Sequence, residues 1–143
     1  MIGLGSDHGG FILKNQIKEH LEKQGIVVKD YGIYDSNSVD YPDIAEMVCS
    51  KLIEGEVEYA ILVCGTGIGI SIAANKIKGI RAANVADVYS AKMAKQHNNA
   101  NVLCLGGRTL GVEIAYEIVD AFLNAEFLGG RHENRVKKIS KIE

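Results

Sequence analysis

The sequence predicts an α/β protein in three layers, a five-stranded parallel sheet with helices on both faces. Two observations predict it. Short apolar runs alternate with segments of helical periodicity along the chain, and right-handed β–α–β crossovers turn such alternation into a parallel sheet flanked by helices. The run YAILVC, residues 59–64, is apolar without interruption, as expected of a strand covered on both faces. At 143 residues the chain suits one domain with its own core and is too short for two, so residues 1–143 read as a single domain.

The elements follow in order. Met1 to Gly5 is a short apolar strand, and FILKNQIKEHLEKQG is a helix with Leu13, Ile17 and Leu21 on one face, ended by Gly25. Ile26 to Val28 form a second strand. A polar loop through Asp35, Ser36 and Asn37 leads to Asp40-Tyr41-Pro42, where the only proline opens a helix striped with Ile44, Val48 and Leu52. Its missing N–H costs little in a first turn. After YAILVC come a helix in SIAANKI, a strand in IRAANV, a helix in DVYSAKMAKQHN and a fifth strand in NVLCLGG. VEIAYEIVDAFLNAEF is a helix expected to turn Ile114, Ile118 and Phe122 inward, and about 131–143 form a basic, amphipathic helical tail.

Composition removes several function classes. A formal net charge of -2 gives no support to nucleic-acid binding. No apolar run approaches the roughly 20 residues that span a bilayer, and MIGLGSDHGG lacks the basic flank and apolar core of a secretory signal, so a cytoplasmic protein with no membrane partner is expected. Cys49, Cys64 and Cys104 are odd in number and contain no C-x-x-C pair, which argues against a disulfide framework or a zinc site. They are expected as free thiols.

In open α/β sheets, ligands sit outside the carboxyl ends of the strands. That rule selects Ser6, Asp7 and His8, then Cys64 to Gly69, Asn84 to Asp87, and Gly106 to Arg108. In CGTGIG, the glycines let backbone N–H groups converge without Cβ obstruction ahead of a helix N-terminus, which suits an anion. The loop lacks the Gly-Lys-Ser/Thr ending of a nucleotide P-loop, and Gly65 and Gly67 complete no G-x-G-x-x-G. Cys64, beside those amides, is either a thiolate nucleophile or base, or a small hydrophobe finishing a strand; Cys49 and Cys104 fit the second role better.

Other polar residues admit two readings each. His8 is a ligand group or a surface histidine, and His97 and Asn98 in KQHNNAN are site residues or a helix end. Arg131 and Arg135 share a helix face; with Arg108 they form a solvated basic surface or a phosphate site. Together these groups point to a phosphorylated small molecule beside a thiol and a histidine.

With SDHGGFILK, DYPD, LVCGTGIGISIAANK, GIRAA, QHNNANVL, GGR and GGRHENR in this order, nearly the whole chain resembles the type B ribose-5-phosphate isomerases, the family that also contains the galactose-6-phosphate isomerase subunits. The resemblance implies a Rossmann-like sheet and a homodimer or homotetramer with active sites shared between subunits. It implies no metal and no organic cofactor. The implied reaction interconverts D-ribose 5-phosphate and D-ribulose 5-phosphate in the non-oxidative pentose phosphate pathway.

The resemblance also implies roles. Cys64 is the base that moves a proton through a cis-enediolate, whose oxygen is held by the amides of Gly65, Thr66, Gly67, Ile68 and Gly69. His97 assists ring opening with Thr66, Asp7 and Asn98 grip hydroxyls, Tyr41 lines the site, and His8, Arg108, Arg131 and Arg135 bind phosphate. One family branch carries a glutamate base where this chain has Ile70, which places the chain with the cysteine branch. Gly9-Gly10 departs from the bulkier residues often found in that family loop. Two alternatives share most of these residues: an isomerase of allose or galactose 6-phosphate, and a non-catalytic sugar-phosphate-binding module in which Cys64 is inert.

Overall fold

The computed structural model describes residues 1–143. Strands β1 (Ile2–Ser6), β2 (Val28–Asp30), β3 (Tyr59–Cys64), β4 (Ala82–Asn84) and β5 (Val102–Gly106) form one sheet in the order β2-β1-β3-β5-β4, with every neighbouring pair parallel. The helices are α1 (Phe11–Lys23), α2 (Tyr41–Ile53), α3 (Ile68–Ala74), α4 (Val88–Gln96), α5 (Val112–Asn124) and α6 (Arg131–Ser140). The expected Rossmann-like arrangement of five parallel strands between helices is the one the chain adopts. No helix is long and apolar enough to cross a membrane.

Side-chain alternation builds the two cores. Along β3, Ile61 and Val63 enter the core shared with α1, α4 and α5, whereas Ala60, Leu62 and Cys64 enter the one shared with α2 and α3. Because both faces are covered, YAILVC needs no polar positions. Strand β1 covers its second face differently. A Cβ at Gly5 would stand 2.7 Å from Val48 Cγ2 and 2.9 Å from Ile44 Cγ2, so glycine lets α2 lie directly against the strand.

Helix α1 buries Leu13, Ile17 and Leu21, each burial worth about 1.5–3 kcal/mol. It also buries a charge. Lys14, fully buried, donates to both carboxylate oxygens of Asp30 at 2.8 and 3.0 Å and to the Ile33 carbonyl at 2.5 Å. The loop that leaves β2 is thereby tied to the helix behind β1.

Several boundaries differ from expectation. β2 begins at Val28 rather than Ile26, β4 is confined to Ala82–Asn84, and α3 starts at Ile68, so Gly69 lies inside a helix. In α5 the inward residues are Ala115, Ile118, Val119 and Phe122, and Ile114 is 45% exposed. Residues spaced by four drift about 40° per step around a helix, and that drift carries Ile114 onto the rim.

The basic tail does form a helix, with no buried residue. Gly129 and Gly130, both at positive φ, turn the chain into it. It is fastened at both ends to the edge where strands begin. Leu128 N donates to Gln96 O at the end of α4, and Gly79 N, ahead of β4, donates to Glu143 Oε1, both at 3.0 Å.

Candidate active site

The strand order reverses between β1 and β3, and at this switch point the loops after β1, β3 and β5 meet. They are joined through the backbone. Asp7 N donates to Val63 O at 3.3 Å, Gly107 N to Cys64 O at 2.8 Å and Arg108 N to Gly65 O at 2.9 Å. A Cβ at Gly9 would stand 3.0 Å from Gly65 N, and one at Gly10 would run into the Val63 carbonyl. The Gly9-Gly10 pair is therefore demanded by how closely the first loop crosses β3.

Cys64 closes β3 inside this junction, 4% exposed, and the Gly67 N–H points at its Sγ from 3.1 Å. A backbone amide aimed at sulfur is the contact a thiolate uses. Gly67 reaches that position with φ +79, where L side chains are strained, and its Cβ would overlap the Asn84 side chain from the end of β4. Thr66 is exposed and its Oγ1 accepts from Ile68 N at 3.2 Å, which shapes the turn into α3. Ile68 is 55% exposed, whereas Ile70 is fully buried in the core, where a carboxylate would have no partner. The other two cysteines are inert by placement. Burial pushes the Cys49 thiol up to about 12 and Cys104 well above the usual range.

Around the thiol stand several of the expected ligand groups. Asp7 is 6% exposed and its Oδ1 accepts from Gly10 N at 3.1 Å. His8 is exposed, and its Nδ1 accepts from Val39 N at 3.4 Å, which draws the loop before α2 toward the site. Tyr41, in the first turn of α2, lies over Gly69, where a Cβ would stand 2.6 Å from its Cζ. The Arg108 side chain runs along Gly65, with Nη1 at 3.3 Å from the place of a Cβ. Asp7, His8, Tyr41, Cys64, Thr66, Gly65, Gly67, Ile68, Gly69 and Arg108 thus share one edge of the sheet.

The remaining expected residues do not join them. His97 is the C-cap of α4, five residues before β5 begins at Val102, and Asn98 follows it. Ala60 pairs with Val102 and Cys64 with Gly106, so four strand steps, about 13 Å, separate the His97 edge from the Cys64 edge. Arg131 and Arg135 lie on α6 at that far edge, both exposed. The rings of His97 and His132 stack there, centroids 4.2 Å apart and planes within 10°. Desolvation, then the charges of His97, Arg131 and Arg135, pull His132 below the ordinary histidine value. A cavity of about 690 Å³ opens beside them, lined by Asn98, Lys76, Arg81, Ile139 and Ile142 among others, and contains no group from around Cys64.

The structure also draws in residues that sequence reasoning left without a role. His132 sits inside the GGRHENR motif, yet only tertiary contact brings it to His97. Asn84 fell within the strand-end rule, and its approach to Gly67 depends on β4 lying two strands from β3.

Known proteins share this fold. Residues 2–139 match the ribose/galactose isomerase family. The chain is 51% identical to ribose-5-phosphate isomerase B of Escherichia coli over 142 residues, covering 99% of this chain and 95% of that protein. It superimposes on ribose-5-phosphate isomerase B of Clostridium thermocellum with a TM-score of 0.97 at 52% identity, covering 99% and 95% of the two chains. The enzyme of that name from Mycoplasma genitalium, solved with bound ribulose 5-phosphate, gives 0.94 at 44% identity, covering 99% and 94%. With a thiol at the switch point and matches that run nearly from end to end, the chain belongs to the ribose/galactose isomerase family and is an aldose–ketose isomerase.

Proposed function

We propose that the protein interconverts D-ribose 5-phosphate and D-ribulose 5-phosphate through a cis-enediolate, with Cys64 as the base. The observation that carries this reading is the Gly67 N–H directed at the Cys64 sulfur at the junction of three strand-end loops. In the forward direction the sugar ring opens, the thiolate takes the C2 proton, and the C1 carbonyl oxygen becomes an enediolate oxygen. Amides of Gly65 to Gly69 receive that charge. The O2 hydroxyl proton passes to O1, and the thiol returns the carbon-bound proton to C1 as the carbonyl forms at C2, so the sugar is rearranged without a net change in oxidation. Asp7 grips a sugar hydroxyl, Thr66 assists His97 in ring opening, Tyr41 covers the loop, and His8 and Arg108 bind phosphate.

Ring opening falls to His97, with Asn98 on a hydroxyl and Arg131 and Arg135 on the phosphate. The separation of about 13 Å between the two edges supports a reading in which these four residues serve the Cys64 of a second copy. Each site of a homodimer, or of a tetramer built from such pairs, is then completed by its partner. A cytoplasmic place in the non-oxidative pentose phosphate pathway accompanies this reading, as does the view of residues 1–143 as one domain.

The test is turnover of ribose 5-phosphate beside allose 6-phosphate and galactose 6-phosphate, with chelator present. Turnover confined to the pentose phosphate supports the proposal. Turnover confined to a hexose phosphate keeps the mechanism and replaces the substrate.

A further inference from the structure

We propose that His132 is a positioning residue for sugar-ring opening: its imidazole lies flat against that of His97 and holds the His97 nitrogens in line for the substrate. The proposal rests on the reading of His97 as the ring opener.

Ring opening moves a proton off the O1 hydroxyl and delivers one to the ring oxygen as the C1–O4 bond breaks and the C1 carbonyl forms. The acid must therefore present a nitrogen to O4 in a narrow range of angles. His97 has little else to hold it. Its backbone caps α4, its ring is half-buried, and the ring torsion of histidine is intrinsically broad. His8 and His20 have hydrogen-bond partners within the chain, whereas the His97 ring packs against the face of His132. A face-to-face stack blocks rotation of the ring out of its plane and leaves both nitrogens free at the ring edge. His132 takes no part in the proton transfer.

The position of His132 in the chain gives the stack a second consequence. It occupies the first turn of α6, beside Arg131 and one turn before Arg135, on a helix with no buried residue. The phosphate that these two arginines are proposed to hold would settle the same helix turn that orients the His97 ring. Phosphate recognition and ring opening are then mechanically linked.

The experiment separates ring opening from isomerisation. In a Cys64→Ala background the C2 proton stays in place, yet ring opening and closing still exchange the two anomers of ribose 5-phosphate, which saturation transfer on substrate labelled at C1 detects. Adding His132→Ala should slow the catalysed exchange about five- to tenfold, the effect of returning rotamer freedom to one side chain. Adding His132→Phe, which keeps a flat ring, should restore most of it. With Cys64 intact, KM for ribose 5-phosphate should stay within about twofold in both His132 variants. Unchanged exchange in His132→Ala, a large rise in KM, or equal damage in His132→Phe would each overturn the proposal. Failure of the underlying reading looks different: no catalysed exchange with His132 in place, or exchange that survives His97→Ala, dismisses His97 as ring opener and this role of His132 with it.

Discussion

If each site is assembled from two chains, two inactive variants must repair one another. Cys64→Ala removes the proposed base and His97→Ala the proposed ring opener, and the two lie toward opposite ends of strands about 13 Å long. After the two variants are unfolded together and refolded at equal concentration, random assortment makes half of the dimers mixed. Every mixed dimer then has one site with both groups and one with neither, so about one quarter of all sites are intact. The assay is isomerase activity of the mixture against each variant refolded alone, with mass spectrometry to establish that mixed dimers are present. Recovery near 25% of the wild-type rate is expected, by this count. A mixture of Cys64→Ala with Cys64→Ser should recover nothing. Mixed dimers with no activity above the separate variants would refute the two-chain site and return all of the chemistry to a single protomer.

Other expected outcomes follow from burial and charge. Iodoacetamide at pH 8 should modify the native protein at Cys64 alone and abolish activity, with substrate protecting. A thiol raised to about 12, as Cys49 is, holds only about one part in 10⁴ as thiolate at that pH, and modification of Cys49 or Cys104 at a comparable rate would contradict the placement. Arg135→Ala should raise KM for the sugar phosphate about tenfold or more with a smaller change in kcat, and an unchanged KM would remove Arg135 from the phosphate site. Lys14→Ala should destabilise the fold by about 3–5 kcal/mol in urea titration, because it leaves the largely buried Asp30 carboxylate unpaired; a loss under about 1 kcal/mol would mean that water reaches the carboxylate.

The layered fold was legible because its periodicities are local. YAILVC declares a doubly covered strand, and Leu13, Ile17 and Leu21 declare a helix face, without any knowledge of what covers them. The strand-end rule likewise gathers Asp7, Cys64 and Arg108, since parallel strands deliver their following loops to one edge. The same topology sends the end of α4 to the opposite edge, where β5 begins, so it withholds His97 and Asn98 from that group. Their assignment came through resemblance, and single-chain geometry alone would have discarded them. Ile114 was misplaced for a smaller reason: a four-residue repeat wanders off a helix face, and Ala115 and Val119 are too small or too ordinary to announce that they form its centre.

The proposed division of the site between edges follows the tolerance of each step. Moving a proton between adjacent carbons requires the base and the oxyanion donors within a few tenths of an ångström of fixed positions. Those groups sit on a loop bonded into the buried end of β3 and locked by neighbours at Gly9, Gly107 and Asn84. Holding a dianionic phosphate tolerates more movement, because several guanidinium groups can share it through long side chains. Two of the proposed phosphate ligands, Arg131 and Arg135, stand on α6, an exposed helix attached near its two ends, and His8 and Arg108 would join them from the Cys64 edge. In the proposed site, ring opening needs directionality but lies on the loosely held side, and the flat contact between His97 and His132 would make that side rigid where the chemistry requires it. Substitutions in the β3–α3 loop should therefore act on kcat, those on α6 arginines on KM, and those at the stacked pair on the step between them.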